Sequence, residues 1–189
     1  IVDTDPLKIK NINSKQSPIK DTHIEKFLAK EKLNLFATQD TQKAFKNAEF
    51  IIIATPTDYD DISGSFDTSS VEGVINEIYK IEQNATIVVK STIPVGFIDK
   101  VRNSFKKINI FFSPEFLRES RALYDNLYPS RIIIGDNSKK GKLFGNILLD
   151  CSFKDSSSAP IIMMTSSEAE AVKLFSNTFL AMRVSFFNE

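Results

Sequence analysis

The amino-acid sequence predicts an α/β fold built on a doubly wound parallel sheet, and two observations indicate it. Short apolar runs such as Phe50 to Ala54 and Ala85 to Lys90 are rich in Ile and Val without polar alternation, which is typical of strands buried on both faces. These runs alternate with longer segments of helical period, as parallel strands joined by crossover helices require.

The elements follow from this pattern in chain order. Continuous apolar runs predict strands at 33–37, 50–54, 85–90, 108–112, 131–135 and 160–164. Apolar residues at helical spacing predict helices at about 21–31, 69–82, 96–107, 138–150 and 167–189. Residues 154–160, rich in serine, predict a surface loop. The last helix carries a broad apolar face and reaches Glu189 without a glycine or proline stop signal, so we expect it to continue in a longer parent protein.

Composition bounds the function. With 189 residues, 42% of them hydrophobic, the chain can bury the core of one domain, with or without an extension. The 24 basic and 24 acidic residues balance, which gives no broad electrostatic footprint for nucleic acid or an anionic membrane. No apolar run reaches the roughly 18 to 20 residues of a membrane span, and the start lacks the pattern of a signal peptide. We therefore expect a soluble cytoplasmic protein.

Cysteine and histidine are scarce. A single cysteine, Cys151, excludes an internal disulfide, and a single histidine, His23, leaves too few ligands for a zinc site, so no metal is expected. A serine–histidine–carboxylate triad would need His23, which sits among charged residues typical of a solvated helix.

Polar side chains follow four apolar runs at the point where each ends. They are Asp3, Thr55 and Thr57, Ser91 and Thr92, and Ser113 and Glu115. Because the carboxyl ends of parallel strands share one edge, where open α/β sheets bind ligands, these groups predict a site. Each of them could instead cap the next helix.

Residues 111–131 concentrate charge after a strand. Ser113 as a cap and Pro114 in a first turn predict a helix that places Glu115 and Glu119 on one face. Ordinary solvated charges at a helix start are the alternative interpretation.

Two further sets have competing interpretations. Asp3 could bind the adenosine ribose of a dinucleotide, but the sequence has no G-x-G-x-x-G turn, so Asp3 could equally be a turn residue next to Pro6. Lys173 and Asn177, at i and i+4, could together stabilise an oxyanion, although an exposed helical lysine is usually only solvated.

The ordered motifs resemble the amino-terminal half of the UDP-glucose/GDP-mannose dehydrogenase family over nearly the whole chain. They are Ile-Val-Asp, Ile-Ile-Ala-Thr-Pro-Thr, Lys-Ser-Thr-Ile-Pro-Val-Gly, Phe-Ser-Pro-Glu-Phe-Leu-Arg-Glu-Ser, Leu-Tyr-Pro-Ser-Arg-Ile-Ile-Ile-Gly and Glu-Ala-Glu-Ala-Val-Lys-Leu-Phe-Ser-Asn-Thr. The pattern favours the members that act on UDP-glucose, without excluding those that act on GDP-mannose or UDP-N-acetylmannosamine.

The resemblance implies NAD-dependent oxidation of UDP-glucose to UDP-glucuronate, in two two-electron steps through a cysteine thioester. Matching positions imply a cofactor set of Asp3, Lys8, Thr57, Thr92 and Glu119. They imply a substrate set of Glu115, Phe116, Leu117, Arg118, Glu119, Lys173 and Asn177. The catalytic set would be Thr92, Glu119, Lys173 and Asn177, with the lysine and asparagine on oxyanions and Glu119 or Thr92 positioning water.

The resemblance also implies an architecture. Residues 1–165 would form a Rossmann-like NAD-binding domain that lacks its first strand, and 166–189 would begin a central helix through which the full-length parent forms homodimers. The family's glycine-rich loop and its Gly-Gly-x-Cys nucleophile segment are absent from the sequence, and Cys151, without flanking glycines, is no substitute. We expect an inactive fragment or gene remnant of a polysaccharide-biosynthesis enzyme. The alternatives are a non-catalytic sugar-nucleotide-binding module and an unrelated doubly wound binding protein.

Overall fold

A computed structural model of the chain describes residues 1–30, 32–60, 64–118 and 120–188. The strands in these ranges are β1 (Phe50–Ile53), β2 (Tyr59–Asp60), β3 (Ser65–Phe66), β4 (Thr86–Val89), β5 (Asn109–Phe112), β6 (Ile132–Ile134) and β7 (Ile161–Met163). The helices are α1 (Pro6–Asn13), α2 (Thr22–Lys30), α3 (Thr41–Phe45), α4 (Ser69–Ile81), α5 (Phe97–Ser104), α6 (Ala122–Leu127), α7 (Lys139–Asp150) and α8 (Ser166–Asn188).

The centre of the molecule is a parallel sheet in the order β1-β4-β5. Ile51 lies opposite Ile87, which lies opposite Ile110 on the other side, so the three strands end level with one another. β6 and β7 form a second parallel pair. The Gly135 amide donates to the Phe112 carbonyl at 2.8 Å, which joins that pair to the end of β5.

Helices cover both faces of this sheet, as a doubly wound fold requires. On one face Ile87 and Val89 of β4 belong to a core shared with buried residues of α4 and α5. On the other face Val88 packs in a second core with Phe144 of α7. Alternate residues of a single strand therefore enter different cores, which confirms the predicted fold class.

Five of the six predicted strands are confirmed, with ends within a residue or two of β1, β4, β5, β6 and β7. The strand predicted at 33–37 is wrong. Asn13 occupies both main-chain groups of Ala37, accepting from its N–H at 2.8 Å and donating to its carbonyl at 2.9 Å. Only an isolated parallel bridge, between Val2 and Thr38, forms at this point.

The helix predicted to start at Ser113 is also wrong. Residues 113–118 are not helical, and the next helix, α6, begins at Ala122. The Ser113 hydroxyl donates to the Ile133 carbonyl at 2.9 Å, so it ties two strand ends together instead of capping a helix. The prediction that Glu115 and Glu119 share one helical face is not tested, because Glu119 lies outside the described residues.

The long carboxyl-terminal helix α8 is confirmed, and a buried carboxylate holds it to α5. Glu170 is fully buried, and its two oxygens accept hydrogen bonds from the amides of Gly96 at 2.6 Å and Ile98 at 2.9 Å. Gly96 is the N-cap of α5 and has no side chain to serve as a cap, so Glu170 supplies the acceptor instead. Burial raises the pKa of Glu170, and the two amide hydrogen bonds oppose that rise. Among the described residues, α8 included, no helix combines the length and apolarity needed to cross a membrane.

We expect Glu170→Ala to lower the free energy of unfolding by about 2 to 4 kcal/mol, because the buried amide of Ile98 and the half-buried amide of Gly96 lose their acceptor. Glu170→Gln should lose less, about 1 to 2 kcal/mol, since its amide oxygen still accepts one bond. Urea unfolding followed by circular dichroism measures both. Glu25→Ala, at an exposed position of α2, is the control, with an expected change below about 0.5 kcal/mol. Equal stability of Glu170→Ala and the control would contradict this role.

Candidate functional site

A cavity of about 340 Å³ opens at the carboxyl ends of the central strands. Its walls come from the segments that follow β1, β4 and β5, and from one side chain of α8. The lining residues are Ala54, Thr55, Pro56, Thr57, Lys90, Ser91, Thr92, Glu115, Leu117 and Lys173. The cavity therefore lies at the edge where a doubly wound sheet binds its ligands.

The register of β1 and β4 sets the two hydroxyl-bearing walls. The amides of Lys90 and Ser91 both donate to the Ile53 carbonyl, at 2.8 and 3.3 Å, so β4 continues beside the end of β1. The Ser91 hydroxyl donates to the Thr55 carbonyl at 2.6 Å and is buried. Ser91 is thus a structural link between the two segments, whereas Thr57 and Thr92 are half-buried on the cavity wall.

The segment after β5 brings a carboxylate to the same cavity. Glu115 and Leu117 line it, while Arg118 turns toward α6, where its main-chain amide donates to Asp125 at 2.9 Å and its Nε donates to the same carboxylate at 3.1 Å. Phe116 lies under two cations, with Lys173 Nζ 5.3 Å and the Arg131 guanidinium carbon 4.5 Å from its ring centre. Both contacts are within the range of cation–π attraction.

Among the described residues that line the cavity, two lysines and one glutamate carry charge. Lys173 Nζ donates to the main-chain carbonyl of Glu115 at 2.7 Å, and Lys90 Nζ lies 3.8 Å from Glu115 Oε2. Burial lowers the pKa of both lysines, and Glu115 partly opposes that fall in each case. The arrangement has one more cation than anion, so it can stabilise negative charge on a bound oxygen.

The structure brings five of the residues predicted for the site together and places the others that it describes elsewhere. Thr57, Thr92, Glu115, Leu117 and Lys173 lie together on the wall of one cavity. Phe116 and Arg118 line a neighbouring cavity of about 770 Å³, and Asn177 is exposed one turn further along α8. Glu119 falls outside the described residues, so its predicted roles with cofactor, substrate and water stay predictions.

Asp3 and Lys8 lie in the amino-terminal segment. Asp3 Oδ1 accepts a hydrogen bond from the Asp5 amide at 2.9 Å, and Lys8 Nζ is 3.8 Å from Asp3 Oδ2. This is the turn geometry that the sequence offered as an alternative for Asp3. A cofactor role for both residues stays a prediction.

Sequence reasoning missed Lys90, which lines both cavities. The available signal was a charged residue directly after the buried strand Thr86–Val89, where a lysine needs a partner. Cys151 is exposed and follows the last residue of α7.

Comparison with known proteins identifies relatives of this chain. The model of the UDP-glucose/GDP-mannose dehydrogenase family, NAD binding domain, matches residues 1–148. The UDP-glucose 6-dehydrogenase of Campylobacter jejuni is 51% identical over 189 residues, which is all of this chain and 48% of the relative. That of Streptococcus pneumoniae is 47% identical over 195 residues and is covered to 49%. The chain therefore spans about half the length of these relatives.

Comparison with solved structures also identifies nucleotide-sugar dehydrogenases. A ternary complex of GDP-mannose dehydrogenase from Pseudomonas aeruginosa superposes with a TM-score of 0.85 at 28% identity, covering 99% of this chain and 45% of that one. A UDP-glucose dehydrogenase from the archaeon Pyrobaculum islandicum has a TM-score of 0.80 at 28% identity, with coverage of 98% and 44%. The doubly wound fold and the NAD cofactor predicted from the sequence are confirmed.

We expect the free energy of unfolding to rise with pH in the alkaline range, relative to a Lys173→Met variant. Burial lowers the pKa of Lys173 below its ordinary value of 10.5, so the folded protein releases this proton at a pH where the unfolded chain still holds it. The unfolded state then binds more protons, and stability increases with pH through that window. Urea unfolding at several pH values measures the difference, with Lys142→Met at an exposed position as the control. If the difference in unfolding free energy between the original chain and Lys173→Met stays constant or falls as the pH rises, the lowered pKa of Lys173 would be contradicted.

Proposed function

Because the chain belongs to the UDP-glucose/GDP-mannose dehydrogenase family, we propose that it is the amino-terminal half of an NAD-dependent UDP-glucose 6-dehydrogenase. Residues 1–165 would form the NAD-binding domain, and residues 166–189 would begin the helix that leads to the rest of the enzyme. The whole enzyme would oxidise the C6 alcohol of UDP-glucose to a carboxylate in two steps, through a cysteine thioester.

One observation carries this proposal. Threonines from the ends of β1 and β4, a glutamate that follows β5 and a lysine of α8 all line one cavity at the ligand-binding edge of the sheet. The choice of UDP-glucose is supported by the 51% and 47% identity to two UDP-glucose 6-dehydrogenases.

The cavity fits part of a dinucleotide. Its volume of about 340 Å³ is at the lower end of the range for ligand pockets, which suits a nicotinamide and its ribose better than an entire NAD. The half-buried hydroxyls of Thr57 and Thr92 can donate to and accept from ribose hydroxyls and a carboxamide. Bound NAD would accept the hydride that leaves the sugar carbon.

The residues around it have separable tasks. The Lys173 ammonium, partly removed from water, would stabilise the negative charge on the C6 oxygen once its hydroxyl proton has passed to solvent water and before the hydride leaves C6, because a preorganised cation acts more strongly where water is excluded. Glu115 accepts from Lys173 through its main-chain carbonyl and so aims that ammonium. Glu119 or Thr92 would position the water for hydrolysis of the thioester.

Cys151 does not fit the nucleophile of this chemistry. It lies at the carboxyl end of α7, where the helix dipole disfavours a thiolate. We infer that the thioester-forming cysteine belongs to the remainder of the enzyme and that the 189-residue span binds ligands without turnover.

Pairing of two copies is proposed for the full-length enzyme through α8. Phe175, Phe179 and Phe186 of this helix are 69%, 57% and 74% exposed, an unusual concentration of apolar surface on one element. A cytoplasmic location stays a prediction.

Calorimetry on the purified 189-residue chain tests the binding function. We expect UDP-glucose to bind more tightly than GDP-mannose, and Lys173→Met to weaken UDP-glucose binding at least about tenfold, because a charge-assisted bond is lost. The exposed Lys142→Met should bind like the original chain.

The absorbance of NADH in the same samples tests turnover. No NADH should accumulate from UDP-glucose and NAD. Tighter binding of GDP-mannose would move the assignment to that branch of the family. Absence of binding to any sugar nucleotide would contradict the proposed function.

A further inference from the structure

We propose that Lys90 is a further positioning residue of this site, which binds the Glu115 carboxylate and thereby leaves the Lys173 ammonium available to the ligand. The inference rests on the proposed function, since it concerns how the same cavity would receive a sugar oxygen. Lys90 belongs to none of the cofactor, substrate or catalytic sets predicted from the sequence.

Lys90 is held in a fixed place. Its main-chain amide donates to the Ile53 carbonyl at 2.8 Å, so the residue extends β4 beside the end of β1. Its side chain is only 13% exposed and lies between the two cavities, lining both. A lysine this far from water needs an anionic partner, and Glu115 Oε2 at 3.8 Å supplies it.

Glu115 is shared between the two lysines through different atoms. Its carboxylate faces Lys90, and its main-chain carbonyl accepts the hydrogen bond from Lys173 at 2.7 Å. A carbonyl binds an ammonium without neutralising its charge, whereas a carboxylate would neutralise it. Because the carboxylate faces Lys90, the Lys173 ammonium is not directly paired with it, and among the described residues its Nζ makes this one hydrogen bond.

The other charged side chains that the structure describes next to this set have different partners. Arg118 binds Asp125, and Arg131 lies over the Phe116 ring. The Lys90–Glu115–Lys173 set therefore has an excess of one positive charge facing the cavity, which suits a ligand oxygen that carries or develops negative charge. The same contacts act on the pKa of each lysine: Glu115 raises the pKa of both Lys90 and Lys173, and the charge of Lys173 lowers the pKa of Lys90.

Lysine titration by NMR, on the full chain labelled with carbon-13 at lysine Cε and without any ligand, tests the coupling. We expect Lys90→Met to shift the pKa of Lys173 upward, because a neighbouring cation is removed and the Glu115 carboxylate becomes free to pair with Lys173. Lys90→Arg keeps the charge and should leave the Lys173 titration near its original position. Glu115→Gln should shift Lys90 and Lys173 downward together.

An unchanged or lowered pKa of Lys173 in a folded Lys90→Met variant would overturn the proposal. Should that variant fail to fold, as judged by circular dichroism, Glu115→Gln decides: a downward shift of both lysines supports the proposal, and no shift overturns it. If Lys90 had only a structural role, neither Lys90→Met nor Glu115→Gln would shift the lysine pKa values in these directions.

Calorimetry with UDP-glucose gives the functional readout. We expect Lys90→Met to weaken binding about threefold to tenfold, Lys90→Arg to restore most of the loss, and the surface variant Lys142→Met to have no effect. If the original chain binds no UDP-glucose, the proposed function fails, and the lysine titrations still decide the role of Lys90. Original-strength binding by a folded Lys90→Met would overturn the role.

Discussion

The buried carboxylate of Glu170 is the contact on which the assembly of the site depends. It accepts two amide hydrogen bonds at the start of α5 and so holds the first turns of α8 to that helix. Lys173 stands three residues further on, close to the same face of the helix. A helix is rigid over one turn, so the anchor at Glu170 also determines where the Lys173 ammonium lies. The residue that holds the fold together and the residue that reaches the ligand edge are therefore one structural unit.

The parallel register of the central strands supplies the rest of the geometry. β1, β4 and β5 are each four residues long and end level with one another, so the residues that follow them emerge side by side. Ile, Val and Phe side chains that enter two cores prevent a slip, because a shift of one residue would exchange the residues that face each core. Hydroxyls and a carboxylate separated by about 60 positions in sequence thus meet at one cavity. The strand register brings them together, and no direct contact between these side chains is needed.

The sequence predicted what depends on periodicity and failed where a single polar contact decides. Apolar spacing predicts buried strands and long amphipathic helices, and these predicted elements are confirmed from β1 to α8. The strand expected at 33–37 and the helix expected at Ser113 had equally good local patterns. Each was displaced by a side-chain hydrogen bond from far along the chain, by Asn13 in the first case and to Ile133 in the second. Lys90 was missed for a related reason: its position after a buried strand indicates that it needs a partner, but that partner, Glu115, lies 25 positions away.

The same distinction separates the hydroxyls of the ligand edge. Ser91, Ser113 and Ser166 are buried, and each donates to a main-chain carbonyl of another segment, namely that of Thr55, Ile133 or Gly135. Each such bond is worth about 1 kcal/mol, and together they hold neighbouring strand ends and the start of α8 at fixed distances. Thr57 and Thr92 instead remain half-buried on the cavity wall. Because serine and threonine follow the strands in the same pattern, only the three-dimensional structure shows that the serines join neighbouring segments and that these threonines line the cavity.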